Sequence, residues 1–303
     1  MGRIVVLGVF VADTAYRADR MPSMGETILG KSFALGPGGK GSNQAVAAGK
    51  LGADVSIISR LGDDDFAKMA LQTWKAANVT PRVITDATSY TGAAFIFIDD
   101  QTGDNAIIIS PGAAEEFSTD DIAQNAELIS GADVFMTQLE QPIEVAKAGL
   151  EVARKAGKIT ILNPAPAAPL SRDIFELCDF ITPNETEAEA LTGMTVATAE
   201  DAKRAAEALV GLGVKTPVIT MGEQGAYLHG YGMTPAFNVG PVVETTGAGD
   251  AFNGGFATAL SEGKSPEEAV RFGCATASIS VTRPGTAPAM PTREEVEKLL
   301  LSG

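Results

Sequence analysis

The stretch Ser42-Asn43-Gln44-Ala45-Val46-Ala47-Ala48-Gly49-Lys50-Leu51-Gly52-Ala53-Asp54-Val55-Ser56-Ile57-Ile58-Ser59 holds a helix, a stop and a strand in eighteen residues. Small and apolar residues recur at helical spacing up to Leu51. Gly52 ends the run, since glycine takes the left-handed backbone of a helix terminus without steric cost. Val55, Ile57 and Ile58 then read as a buried strand. Outward from here the pattern repeats. Arg3 to Val9 reads as a first strand and Asp64 to Asn78 as a helix. Strands are predicted at Asp133 to Thr137, Lys158 to Asn163, Phe180 to Thr182 and Pro217 to Met221, with helices at Ile143 to Ala156 and Ala199 to Leu212. Such alternation predicts an α/β fold, a mostly parallel sheet with helices on both faces.

Two stretches break the rhythm. Ala93 to Ile98 and Ala106 to Ser110 are β-rich and joined by Asp99-Asp100-Gln101-Thr102-Gly103-Asp104-Asn105, a hairpin signal. Val11 to Leu35 has no helical period and carries Pro22 and Gly25. Together, residues of about 11–35 and 88–110 are expected to form a small β lid beside one α/β domain spanning 1–303. The last third turns helical: Ala248 to Glu262 is one helix, Ser265-Pro266-Glu267-Glu268 opens a second through a capping box, and Thr292-Arg293-Glu294-Glu295 opens a third.

The chain has 303 residues and a formal net charge of −15, with basic residues scattered rather than clustered. That distribution argues against a nucleic-acid partner, whose sequence-independent affinity needs grouped Lys and Arg. No apolar run is long enough to span a bilayer, and Met1 to Val9 lacks the features of a secretory signal, so no membrane partner is expected. Cys178 and Cys274 stand apart from any CxxC or histidine pair. They read as free thiols of a reducing, cytoplasmic compartment. The lone histidine, His229, has no GxSxG elbow to serve.

Chemistry concentrates in Glu244-Thr245-Thr246-Gly247-Ala248-Gly249-Asp250-Ala251-Phe252-Asn253-Gly254-Gly255. Small residues leading into a helix let backbone N–H groups converge on an anion, and the helix dipole adds positive potential. Asp250 falls in the first helical turn, where a carboxylate beside an anion cradle suits a base that takes a proton from an attacking hydroxyl. Local physics leaves a second reading equally open: a glycine-rich helix start with an acidic residue favoured by the dipole. Gly36-Pro37-Gly38-Gly39-Lys40-Gly41 matches GxGxxG literally, yet only Ser32 to Leu35 precedes it and no GK[ST] follows, which excludes both a dinucleotide fingerprint and a Walker A loop. Asn184-x-x-Glu187 has the spacing of an ordinary capping box.

The segment ending at Gly255 closely resembles the C-terminal signature of the ribokinase-like (PfkB) carbohydrate kinases. Gly38-Gly39-Lys40-Gly41-Ser42-Asn43-Gln44-Ala45 resembles their N-terminal signature. Asn163-Pro164-Ala165-Pro166-Ala167, Thr182-Pro183-Asn184-Glu185-Thr186-Glu187, Ile219-Thr220-Met221-Gly222-Glu223-Gln224-Gly225 and Thr282-Arg283-Pro284-Gly285 resemble four further family segments, in order, between about Ile4 and Pro291. The resemblance implies a ribokinase-like three-layer sandwich and phosphoryl transfer from MgATP to a primary alcohol of a sugar, ribose or a related pentose. It implies Asp250 as base, with the amides of Gly247, Ala248 and Gly249 stabilising the transferring group. Asp13, Gly39, Lys40, Asn43 and Glu140 would hold the sugar, and Asn184, Thr220, Gly222 and Gly225 the ATP. Glu187 would hold Mg²⁺ through water, and Glu244 with Thr246 a K⁺ ion. A homodimer through the lid is the family analogy.

Two positions depart from the pattern. Val11 stands where ribose-phosphorylating members carry an asparagine, and a valine offers that hydroxyl no hydrogen bond. Glu244 stands where they carry an aspartate, and its longer side chain either ligates K⁺ or displaces it. A nucleoside kinase on the same scaffold and a catalytically silent sugar-binding regulator are the alternatives. The intact Gly247 to Asp250 segment argues against the second.

Overall fold

The computed structural model describes residues 2–302. In chain order these form β1 (Arg3–Leu7), β2 (Val11–Ala18), β3 (Ser32–Gly38), α1 (Lys40–Lys50), β4 (Asp54–Leu61), α2 (Asp65–Ala76) and β5 (Val79–Thr85). Next come β6 (Thr91–Asp99), β7 (Asn105–Gly112), α3 (Thr119–Gln124), α4 (Ala126–Gly131), β8 (Val134–Thr137), α5 (Ile143–Lys155), β9 (Ile159–Leu162) and α6 (Arg172–Glu176). The chain continues through β10 (Phe180–Ile181), α7 (Glu185–Thr192), α8 (Ala199–Leu212), β11 (Thr216–Thr220), β12 (Ala226–Leu228) and β13 (Gly232–Thr234). It ends with α9 (Ala248–Ser261), α10 (Pro266–Ser280) and α11 (Arg293–Ser302).

Nine strands make the main sheet in the order β13-β12-β11-β10-β9-β8-β1-β4-β5. The strands from β11 to β5 pair in parallel, and β12 and β13 add antiparallel strands at one edge. Side chains alternate between two cores, as a sheet covered on both faces requires. Ile4 and Val6 of β1 join one core with Trp74, Phe252, Phe256 and Phe272. Val5 and Leu7 join the other with Phe135, Leu150, Phe175 and Leu209. Helices α1, α2, α9, α10 and α11 contribute to the first core, and α5, α6 and α8 to the second, giving three layers. Trp74 is wholly buried, crosses Phe10 edge-to-face at 6.1 Å and donates its indole N–H to Ser42 Oγ at 2.9 Å. The ring thus buries its full area without stranding a polar atom.

The predicted strands and helices appear within a few residues of their expected limits. Strand β5 and the short helices α3, α4 and α6 are not among the predicted elements. Pro81 argues against an interior strand, and β5 is indeed an edge that pairs with β4 alone. The rhythm-breaking stretches form a second sheet in the order β3-β2-β6-β7, reaching Gly38 and Gly112, past the expected limits. The hairpin signal is β6–β7, paired antiparallel from Ile98↔Asn105. Among the described residues, no helix is long and apolar enough to cross a membrane. Cys178 and Cys274 are free and buried, and burial pushes both thiols up, Cys274 to about 12.

Candidate active site

In parallel α/β sheets, ligands gather where strands end at their carboxyl termini. Here those ends bring distant segments together. Gln138 and Glu140 follow β8, Asn163 follows β9, Asn184 follows β10, and Thr220 ends β11. Gly38 and Gly39 pass from β3 into α1 beside them. A side chain at Gly39 would put Cβ 2.4 Å from the Val9 carbonyl oxygen, and the backbone φ is +88°. Only glycine fits both constraints. The expected sugar-contact glycine is therefore already required by the chain's own path, which sets Lys40 at the first position of α1.

Asp250 lies at the third position of α9, whose N-cap is Gly247 in the left-handed conformation. It is 7 % exposed. Asn43 Nδ2 donates to Asp250 Oδ2 at 3.1 Å, and Gln44 Nε2 donates to Oδ1 at 3.0 Å. Lys40 donates its backbone N–H to Glu140 Oε2 at 2.7 Å. Asp13, on β2, rests its carboxylate against Gly38, where an added Cβ would fall 2.2 Å from Oδ2. The structure thus gathers Asp13, Gly39, Lys40, Asn43, Glu140 and Asp250. Of the three amides at the start of α9, that of Ala248 donates to the Thr245 carbonyl at 3.1 Å, so its N–H is engaged within the turn.

The electrostatics follow from crowding carboxylates around one lysine. Burial lifts Glu140 to about 7; Lys40 opposes the shift, and Asp250 and Asp13 reinforce it. Burial also lifts Asp13 to about 6, with Asp250 and Glu244 adding to it. Asp250 is raised by burial against the opposing pull of Lys40 and the amides of Gln44 and Asn43. Burial, like charges and hydrogen bonds to the charged form are separable causes, and all three act here. Such a cluster of displaced carboxyls is the signature of a functional site.

A second corner holds the residues expected at the nucleotide. Asn184 bridges to Thr220, and Thr220 N–H donates to the Pro183 carbonyl at 2.9 Å. Gly222 and Gly225 flank the short helical turn that follows β11. Asn184 and Glu187 form a reciprocal capping box, with Glu187 Oε2 accepting from Asn184 N–H at 2.9 Å. Among the described residues no hydrogen bond engages Oε1, and burial raises the Glu187 pKa. A hydrated divalent cation fits that oxygen. Glu244 Oε2 accepts the Gly285 N–H at 2.7 Å, tying two loops together. Its other oxygen and exposed Thr246 remain as hard donors that fit a monovalent cation.

Three residues of the site, Gln44, Gln138 and Asn163, are given no role by sequence reasoning, although Gln44 and Asn163 stand inside the segments that resemble the family. They form a buried amide chain behind Asp250. The run Gln138-Leu139-Glu140-Gln141 directly after the apolar β8 is the signal that marks one of them. A cavity of about 530 Å³ opens at the opposite end of the sheet among Arg154, Lys158, Lys215 and Lys264, and none of the residues above lines it.

Residues 1–293 match the model of the pfkB family carbohydrate kinases. A ribokinase from Haemophilus influenzae is 40 % identical over 98 % of both chains. A deoxyribokinase from Salmonella typhi is 38 % identical, also over 98 % of both. The Arabidopsis thaliana ribokinase complexed with ribose and ATP superposes with a TM-score of 0.92 at 34 % identity, covering 99 % of this chain and 98 % of that one. Fold, ordered motifs and full-length similarity agree, and the chain belongs to the pfkB family of carbohydrate kinases.

Proposed function

We propose that this ATP-dependent sugar kinase moves the γ-phosphoryl group of ATP to a primary hydroxyl of ribose or a closely related pentose. The observation that carries the reading is Asp250. Its carboxylate is held by two side-chain amides at the glycine-rich start of α9, and the sugar-side residues Asn43, Lys40 and Glu140 surround it. In the reaction the acceptor oxygen bonds to the γ-phosphorus, the bond from that phosphorus to the β–γ bridging oxygen breaks, and the hydroxyl proton passes to Asp250. The amides of Gly247 and Gly249 and the helix dipole face the developing charge. Lys40 supplies the positive charge of an otherwise acidic site.

Asn184, Thr220, Gly222 and Gly225 would line the nucleotide. Glu187 would hold Mg²⁺ through water, and the ion would supply charge neutralisation between the phosphates. Glu244 and Thr246 would hold K⁺. The second sheet serves as a lid: Asp13 sits on the face turned to the site, so closure would bring a sugar ligand in and exclude water that competes as acceptor. The opposite face carries Tyr16, Phe33, Leu35 and Ile108, all exposed. This apolar face supports a homodimer. Two free buried thiols and dependence on ATP support a cytoplasmic setting.

A second reading concerns the acceptor. Val11 is 4 % exposed and packs with Val9, Ala94 and Ala114, so its place in the sugar wall is apolar. That favours a pentose lacking one hydroxyl, such as a 2-deoxy sugar. ADP release should be measured with MgATP against ribose, 2-deoxyribose, other pentoses, fructose and nucleosides, with and without K⁺. Turnover on a free pentose is expected. Turnover on nucleosides alone would move the assignment to a nucleoside kinase, and silence on every acceptor with ATP bound would favour a regulator.

A further inference from the structure

We infer that Gln44 is a positioning residue for the phosphoryl-transfer base, aiming one chosen oxygen of Asp250 at the acceptor hydroxyl. The inference rests on the base assignment above and adds a residue that does not itself touch substrate.

Gln44 is fully buried in α1. Both hydrogens of its Nε2 have acceptors, Asp250 Oδ1 at 3.0 Å and Asn163 Oδ1 at 3.0 Å. Its Oε1 accepts from Gln138 Nε2 at 2.6 Å. An amide can be turned over unless its partners forbid it, and here they do. Asn163 Nδ2 donates to the Thr182 carbonyl at 3.0 Å, so Asn163 presents its oxygen to Gln44. Gln138 presents a hydrogen to the other side of the Gln44 amide. Gln138 is packed tightly, its Oε1 lying where a Cβ on Gly8 or Gly41 would come within 2.7 Å. Among the described residues that oxygen has no hydrogen-bond partner, so the orientation of Gln44 is set chiefly by Asp250 and Asn163. Turning Gln44 over would set oxygen against oxygen at both Asp250 and Asn163, and hydrogen against hydrogen at Gln138.

The consequence falls on Asp250. The last torsion of an aspartate is broad and roughly two-fold, so a lone carboxylate has little preference between its oxygens. Gln44 ties Oδ1 to the buried amide chain while Asn43 meets Oδ2, so the carboxylate is fixed in its torsion. Each oxygen keeps one lone pair, and Oδ2, on the side of Asn43, is the oxygen presented to an acceptor hydroxyl. The same hydrogen bond favours the ionised carboxylate that a base needs, against the burial that opposes it. The chain from the Thr182 carbonyl through Asn163 and Gln44 to Asp250 also joins the ends of β9 and β10 to the first turn of α9. Thr182 closes the loop by donating its hydroxyl to Asn253 Oδ1 at 2.7 Å, and Asn253 Nδ2 donates to the Gly249 carbonyl at 2.8 Å. A purely structural polar filler has no need of this fixed donor orientation toward a single carboxylate oxygen.

The test compares the wild type, Gln44→Met, Gln44→Glu and Asp250→Asn by kcat, KM for the sugar, ATP affinity and the pH profile of kcat. Gln44→Met keeps the volume and removes the donors. It is expected to lower kcat roughly 10- to 100-fold near neutral pH, within the range general-base catalysis contributes, while ATP affinity stays within about twofold. Its acid limb should move to higher pH, so that the deficit narrows as pH rises. Gln44→Glu, which adds a like charge, should move the limb further. A deficit in Gln44→Met that is constant across pH, or kcat and limb both unchanged, would overturn the inference. Should Gln44→Met fail to fold, Gln138→Met loosens Gln44 without touching Asp250, and an unmoved acid limb there overturns the inference equally. Asp250→Asn separates the two levels: if it retains turnover, the base assignment itself falls. If it is silent while the Gln44 variants show normal pH profiles, only the role of Gln44 falls.

Discussion

The carboxylate of Glu140 accepts the backbone N–H of Lys40 across one hundred residues of chain, at 2.7 Å. This bond joins the loop after β8 to the first residue of α1 and explains how an acidic side chain tolerates the site. It is not enough to keep Glu140 at an ordinary carboxylate pKa, because burial dominates and lifts it to about 7 from 4.5. A carboxyl whose folded pKa is raised stabilises the fold below its unfolded pKa, and that contribution is lost as pH rises through the folded value. Glu140→Gln keeps the acceptor for Lys40 and removes the charge. It should therefore be more stable than the wild type at pH 8, by roughly 1–3 kcal/mol after allowance for partial solvation. The gap should close as pH falls toward 4.5. Thermal melts at pH 4.5, 6 and 8 check this, and a pH-independent difference would contradict it. Sugar turnover should fall in the same variant, the usual trade of stability against function.

Asp250→Asn preserves the shape of the site and removes the base. Its kcat should drop about 10²- to 10⁴-fold, with ATP affinity unchanged in a calorimetric titration. In the wild type, kcat/KM for the sugar should fall on the acid side along a limb lying above the pH of an ordinary aspartate, since Asp250 must be ionised and burial raises it. Lys40→Met removes the charge that opposes this rise, so the limb should move higher still. A limb at lower pH in that variant would show that Lys40 is not the counter-charge.

How much of this was open to sequence reasoning depends on the range of the interactions. Helix α8 appears at its expected limits, Ala199–Leu212, because Thr198 caps it with Asp201 and Gly213 ends it, all within one short stretch. The Asn184–Glu187 box is likewise local, and both bonds are present. Strand β5 was hidden by Pro81, which is tolerated only because the strand is an edge, a property of the assembled sheet. The amide chain behind Asp250 was hidden for the same kind of reason. Gln44 meets Gln138 and Asn163 over separations of 94 and 119 residues, and nothing near Gln44 in sequence announces a partner. The engagement of the Ala248 amide by Thr245 is local, yet it depends on how tightly the turn before α9 closes. Composition does not report that.

On the proposed reading, Val11 helps select the acceptor sugar. The residue is buried on β2, two positions before Asp13, in an apolar cluster with Val9 and Ala94. A site lacking a polar partner for one hydroxyl gives up about 1–3 kcal/mol of preference for the sugar that carries it, roughly a 5- to 150-fold change in kcat/KM. Val11→Asn should raise kcat/KM for ribose relative to 2-deoxyribose by a factor in that range. Competition assays with both sugars read the ratio directly. An unchanged ratio in a folded variant would remove Val11 from the sugar wall and assign it to packing alone.

The second sheet predicts the oligomeric state. Strand register places Thr14 and Tyr16 of β2, Phe33 and Leu35 of β3, Phe95 of β6 and Ile108 of β7 on one face. The Tyr16 ring lies 5.0 Å from Phe33 and 5.5 Å from Phe95. Phe33 is 56 % and Ile108 63 % exposed. A contiguous aromatic and aliphatic face is unfavourable in water and marks an interaction surface. The opposite face of the same sheet carries Asp13, so if this sheet is the lid proposed above, a second copy seated on the apolar face would stiffen it. Light scattering should give a mass of about twice the 31.2 kDa chain. Phe33→Asp combined with Ile108→Asp should return it to one chain and, on the proposed role of this sheet as a lid over the sugar, raise KM for the sugar more than KM for ATP. A monomeric wild type, or a monomeric variant with both constants unchanged, would separate the sheet's closure from its pairing.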